Sequence, residues 1–185
     1  MKKLTVLLVL SSFLFVSCSK SKDSAAPGKT FEATVDGKAY VFNIISATLL
    51  RSAADNEKRL DIAGISTDSS KRLIITLGEE TSVGNGVSVK SYVLNPFPPD
   101  DPNTPNVDES LTTQGFSTYS TSLGNNNWFT DVYDENGSFQ VTGCDATNNV
   151  ISGTFQTTLT GMNIGSATVK VTAGKINNVK YTVLN

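Results

Sequence analysis

The 185-residue chain contains no histidine, one tryptophan and two cysteines. Without histidine there is no Ser-His-Asp triad, no zinc site built on imidazole and no imidazole acid–base chemistry near neutral pH. Two cysteines, Cys18 and Cys144, cannot build a disulfide framework. Cys144 has no histidine to activate it, and it reads as a small residue at a strand end rather than as a reactive thiol. Phosphate-cradling glycine signatures are absent. Charged residues make up 17% of the chain and leave a formal net charge of −2. That balance provides no basic face for nucleic acid or anionic lipid. Apart from Leu4–Val16, no apolar run approaches membrane-spanning length, and Leu4–Val16 is itself too short to span a bilayer comfortably.

What is present begins with that segment. Lys2 and Lys3 precede the apolar stretch, and Ser17 stands before Cys18. The arrangement resembles a bacterial lipoprotein signal peptide, cleaved before a cysteine that then carries lipid; Phe15 stands where the consensus favours Leu. An ordinary secretory signal and an uncleaved anchor are the alternatives. The expected organisation is a signal peptide over 1–17, a flexible tether over 18–29 and a single β domain over 30–185. The tether is small and polar, with Pro27 and Gly28. Several acyl chains on Cys18 would hold the domain stably at a membrane, where a single chain would not. Lys22 and Asp23 give a faint version of the acidic export signal that follows the cysteine in some surface lipoproteins.

The domain reads as all-β. Phe139 and Val141, then Ile151, Gly153, Phe155 and Leu159, then Ala167, Val169 and Val171 fall on alternate positions among Thr, Ser, Gln and Lys. A period of two puts them on one face of successive strands. Turns are expected at 145–149, 161–165, 173–174 and 134–137. Asp36-Gly37, between two alternating runs, is a hairpin signal. Further strands are expected over 59–65, 72–77, 87–94 and 115–123, and Ala47–Lys58 is ambiguous, with a short helix over Leu50–Glu57 as one option. Five of the six prolines fall in 95–106, which excludes a central strand there and marks a long loop. Phe97 is that loop's only large apolar residue, read as an anchor or a partner contact. The expected architecture is an antiparallel meander forming a β-sandwich or a partly closed barrel.

Three stretches resemble a family of uncharacterised Bacteroidetes lipoproteins that carry a domain of unknown function. They are Phe31-Glu-Ala-Thr-Val-Asp-Gly37; Gly137-Ser-Phe-Gln-Val-Thr142 with Asp145 and Ile151-Ser-Gly-Thr-Phe155; and Val171-Thr-Ala-Gly-Lys-Ile176. The resemblance implies an all-β secreted or envelope module at the outer membrane, and it carries over no catalytic or binding residue.

The chemistry on offer is thin. Paired carboxylates could serve a glycosidase: Glu79 with Glu80, Asp100 with Asp101, Asp108 with Glu109, Asp131 with Asp134. Most sit in turns or loops, where solvated charge is the usual occupant. Asp131, Asp134, Glu135 and Asn136, or Asp100, Asp101 and Asn103, supply oxygens suited to calcium, yet neither spacing matches an EF-hand. No metal or other cofactor is therefore expected. Trp128 carries the sharpest binding hypothesis. Its ring would stack on a sugar while Asn125, Asn126 and Asn127 bond hydroxyls, with Tyr119 and Tyr133 on nearby strands; a core or loop-anchoring tryptophan is the competing role. The expectation is a non-catalytic, lipid-anchored envelope or surface module with an envelope protein or a glycan as partner. The alternatives are a lipocalin-like carrier of a small apolar ligand and a glycan-processing enzyme.

Overall fold

Asp36 and Gly37 both adopt positive φ, 48° and 79°. Mirror-image two-residue turns need that geometry to match the twist of the strands they join. The turn links β1 (Thr30–Val35) to β2 (Lys38–Ser52), which pair from Val35 with Lys38 to Glu32 with Val41. A computed structural model describes Gly28 and residues 30–94, 115–124, 127–160 and 168–185; for 123, 124 and 127–136 it describes the backbone alone. The other strands are β3 (Glu57–Ser66), β4 (Lys71–Glu79), β5 (Ser91–Leu94), β6 (Gly115–Gly124), β7 (Asn127–Asp145), β8 (Val150–Thr160), β9 (Thr168–Lys180) and β10 (Thr182–Leu184). No helix occurs among the described residues.

The strands run β2-β3-β4-β6-β7-β8-β9, each antiparallel to the next, and β1 pairs with both β9 and β2. The hydrogen-bonded ring of eight thereby closes, the barrel of the two architectures expected. Two short strands complete the wall beside its longest members. β5 continues the line of β6 along β7, and β10 runs parallel to β2 beside Thr48–Leu50, beyond the reach of β1. Because neighbours alternate in direction, the turns 36–37 and 67–70 lie at one end, here called the mouth. The turn 53–56, the segment 80–90 and the turn 146–149 lie at the other, the base.

An eight-stranded barrel has an interior just wide enough for side chains to fill. Here Leu60 and Ile62 of β3, Leu73, Ile75 and Leu77 of β4, and Val171 of β9 are fully buried. Four phenyl rings cross the middle as a chain: Phe42 to Phe31 at 5.1 Å, Phe31 to Phe155 at 6.0 Å, and Phe155 stacked on Phe139 at 5.9 Å. Two glycines make room for them. A Cβ on Gly174 would lie 2.5 Å from the Phe155 ring, and one on Gly153 would lie 2.7 Å from Cζ of Phe139. Glycine at such sites marks close approach in a bent wall.

Several local expectations change. Leu50–Ser52 stay in β2, because Leu49 pairs with Leu60 and Leu50 with Arg59; only 53–56 turns, and Glu57 opens β3, so there is no helix. Asp134–Gly137 is no turn. It lies within the 19-residue β7, and a register shift between Asp134 and Asn136 absorbs the irregularity. The polar stretch 125–131 reads as a loop from its asparagines, yet Asn127–Asp131 also belongs to β7. Ala173, at φ 48°, and Gly174 sit inside β9, where the register against β1 shifts, and form a bulge. Of 87–94, only Ser91–Leu94 is strand. In each strand gain, ladder pairing with a long neighbour overrides local turn chemistry. The expected turns at 145–149 and Asp36-Gly37 are present, whereas 161–165 and the proline-rich 95–106 lie outside the described residues.

Candidate functional site

The base is closed by a buried polar lattice. Lys58 and Glu79 occupy inward positions on neighbouring strands and form an ion pair at 2.9 Å, with side-chain exposures of 6% and 5%. Lys58 Nζ also donates to the Val83 carbonyl at 2.9 Å. Glu79 accepts from the Tyr92 hydroxyl and, at 2.7 Å, from the Ser88 N–H. Burial alone would raise the Glu79 carboxyl. The bonds from Tyr92, Lys58 and Ser88 outweigh it and hold the group at about 2. Burial, then the Glu79 carboxylate, pushes the Tyr92 phenol upward. Segment 80–90 is thus strapped across the barrel end, with Val87 buried beneath it. Further along, Asn85 accepts from Tyr181 Oη at 2.6 Å and from Arg51 at 3.0 Å. Cys144 is half-buried in the same layer, its sulfur 3.6 Å from Tyr181 Oη, with Gly86 closely packed over it. It is a packed thiol.

The mouth is different. Lys38, Tyr40, Lys71, Tyr119 and Thr121 share the inward register at the strand ends. Lys38 Nζ stands 4.9 Å from the Tyr40 ring centre and Lys71 Nζ 5.6 Å from that of Tyr119, distances at which a cation is attracted to a ring face. Lys71 also reaches Thr121 Oγ1 at 3.5 Å. Among the described residues neither ammonium forms an ion pair with a carboxylate. The carboxylates of Asp36 and Asp68, described nearby, are already engaged. Asp36 Oδ1 accepts the Lys170 N–H at 2.8 Å, which ties the first turn to β9. Asp68 accepts from the Ser66 and Ser70 hydroxyls and the Ser70 N–H, which together with Lys38 hold it at about 2. Burial, followed by the charges of Tyr40, Asp36 and Asp68, pushes the Tyr119 phenol up.

The sequence-predicted residues divide between these regions. Asn125 and Asn126 lie outside the described residues. Gly124 and Asn127, which flank them, pair with each other at the mouth, and Trp128 pairs with Ser122; the side chains of Asn127 and Trp128 lie outside the description. Tyr119 is buried and faces inward, and Tyr133 pairs with Thr118. Cys18, Phe97, Asp100, Asp101, Asn103, Asp108 and Glu109 lie outside the described residues, as do the side chains of Asp131, Asp134, Glu135 and Asn136. Glu79 and Glu80 do not form an acid pair, since Glu79 is locked into the base and Glu80 is exposed. Among the described residues no group of three His, Cys, Asp or Glu side chains could hold a metal. A depression of about 340 Å³ on β7–β9, lined by Ser138, Gln156, Thr158, Lys170 and Thr172 among others, is polar and open.

Sequence reading missed both lattices. Their signal was present: Lys58 falls in step with Leu60 and Ile62, and Lys71 with Leu73 and Ile75. A charge in the inward set of a strand marks either a barrel rim or a buried pair.

The fold and these two ends define a closed antiparallel β-barrel with a strapped base and a mouth at which, among the described residues, Lys38 and Lys71 stand with Tyr40 and Tyr119 beside Asp36 and Asp68. Comparison of the chain with protein-family models, curated proteins and solved structures finds no match.

Proposed function

We propose that this protein is a lipid-anchored, non-catalytic binding module of a bacterial envelope, tethered through Cys18 and presenting the barrel mouth to a glycan. The carrying observation is the polarity of the barrel. The Gly28 carbonyl accepts from Asn177 Nδ2 at 3.3 Å, and Thr30 pairs with Asn177 near the base end of β9. A tether entering there leaves the opposite end, with Lys38, Tyr40, Lys71 and the start of β7 at Asn127 and Trp128, facing away from the membrane. The resemblance to uncharacterised Bacteroidetes lipoproteins and the Lys2–Cys18 pattern support the anchor and an outer-membrane location.

A lipocalin-like carrier needs an unfilled apolar interior. Phe31, Phe42, Phe139 and Phe155 occupy the middle of this one, which favours binding at the mouth over carriage within the barrel. Lysine ammonium groups and tyrosine hydroxyls are competent hydrogen-bond donors to sugar oxygens. The anchor is tested by fractionation. Cys18→Ala should move the chain from the membrane pellet to the soluble fraction; a variant that stays in the pellet would contradict it.

A further inference from the structure

We propose that the base of the barrel rests on the bilayer that holds the anchor, with Val83, Val89, Leu50 and Leu184 as the side chains that enter the headgroup layer. Seven large apolar side chains are exposed among the described residues, and these four belong to the base, at 75%, 61%, 37% and 48%. Single exposed aliphatics are ordinary on soluble proteins; here they are gathered at one end. Leu50 and Leu184 are direct partners in the parallel β2–β10 pair. Arg51 bonds both Asn185 and Asn85, joining the end of β10 to the segment that carries Val83 and Val89.

The lipid surface is the occupant because of where the chain leaves the barrel. Gly28 is held at the base by Asn177. Nine residues lie between it and Cys18, ten backbone steps with a reach of at most about 35 Å. Such a tether keeps the base close to the bilayer and raises its effective concentration there, so weak apolar contacts suffice. Charge supplies little. Arg51, Lys90 and Lys180 at this end are outnumbered by Asp55, Glu57, Glu80 and Asp145, so attraction rests on apolar area. The strapped 80–90 segment gives Val83 and Val89 a rigid platform, since its polar groups are spent on Lys58, Glu79 and Tyr181.

Docking rests on the lipid anchor proposed above, and the test separates the two. The mature full chain carrying Cys144→Ser is labelled with an environment-sensitive fluorophore at Val89→Cys, at Leu184→Cys or, as a mouth control, at Thr67→Cys. It is then reconstituted into phosphatidylethanolamine/phosphatidylglycerol vesicles containing brominated phosphatidylcholine, and the mass of the Cys18 peptide is measured alongside. Docking is supported by an acylated Cys18 with a blue-shifted, bromine-quenched signal at 89 and 184 and an unquenched one at 67. An acylated Cys18 with no quenching at 89 or 184 overturns docking and leaves the anchor standing. An unmodified Cys18 overturns both.

Discussion

Phe155 of β8 lies against Gly174 of β9, its direct cross-strand partner, so closely that a Cβ on Gly174 would stand 2.5 Å from the ring. The same ring stacks on Phe139 with an interplanar angle of 3°. Gly174→Val should therefore displace the central phenyl chain as a unit. Overpacking of this kind costs about 1–3 kcal/mol, more where several rings move together. Urea unfolding of Gly174→Val should show a lower midpoint, and Gly174→Val/Phe155→Leu should recover part of the loss. A variant as stable as the parent would mean that the rings are not confined by the wall.

The Lys58–Glu79 pair should respond asymmetrically to substitution. Removing one partner leaves a buried charge uncompensated, so Glu79→Gln should cost about 3–5 kcal/mol. Replacing both, as Lys58→Met/Glu79→Leu, should cost less than Glu79→Gln alone, because no charge is stranded. Equal losses in the single and double variants, read from chemical denaturation, would show that the hydrogen bonds to Ser88 and Tyr92 carry the base and the ion pair does not.

The same carboxylate sets the acid limb of stability. Glu79 is held at about 2, below its ordinary 4.5, so its contribution is complete above about pH 4.5 and drains away as pH falls toward 2. The shift corresponds to at most about 3 kcal/mol, and solvent screening lowers that contribution. Asp68, also held at about 2 at the mouth, titrates over a similar window. Unfolding midpoints measured from pH 6 to pH 2 should fall for the parent chain and fall less steeply for Glu79→Gln. Identical slopes would mean that Glu79 does not report on folding.

Much of the wall was legible before any coordinates. The alternation of Ile151, Gly153, Phe155 and Leu159 named the inward set of β8, and all four are buried. Asp36-Gly37 marked the first hairpin because few other dipeptides tolerate two positive φ values. What local patterns cannot encode is which strand lies next to which. Closure depends on β1 pairing with β9, some 140 residues away, and no periodicity within either strand announces it. The same blindness made Asp134–Gly137 look like a turn, since the partner that keeps it extended lies in β8. Of the described mouth residues only Tyr119 was singled out for its chemistry, whereas Lys38 and Lys71 acquire a shared location only when the barrel closes.

The most direct test of a glycan-binding mouth uses the chain's single tryptophan. Emission of the mature protein is followed while soluble neutral and acidic polysaccharides are added in turn. The account predicts a saturable change with at least one of them, weakened by Lys38→Gln/Lys71→Gln with the unfolding midpoint unchanged. Emission indifferent to every polysaccharide, in a chain shown to be folded, would contradict it and return the mouth to a protein partner.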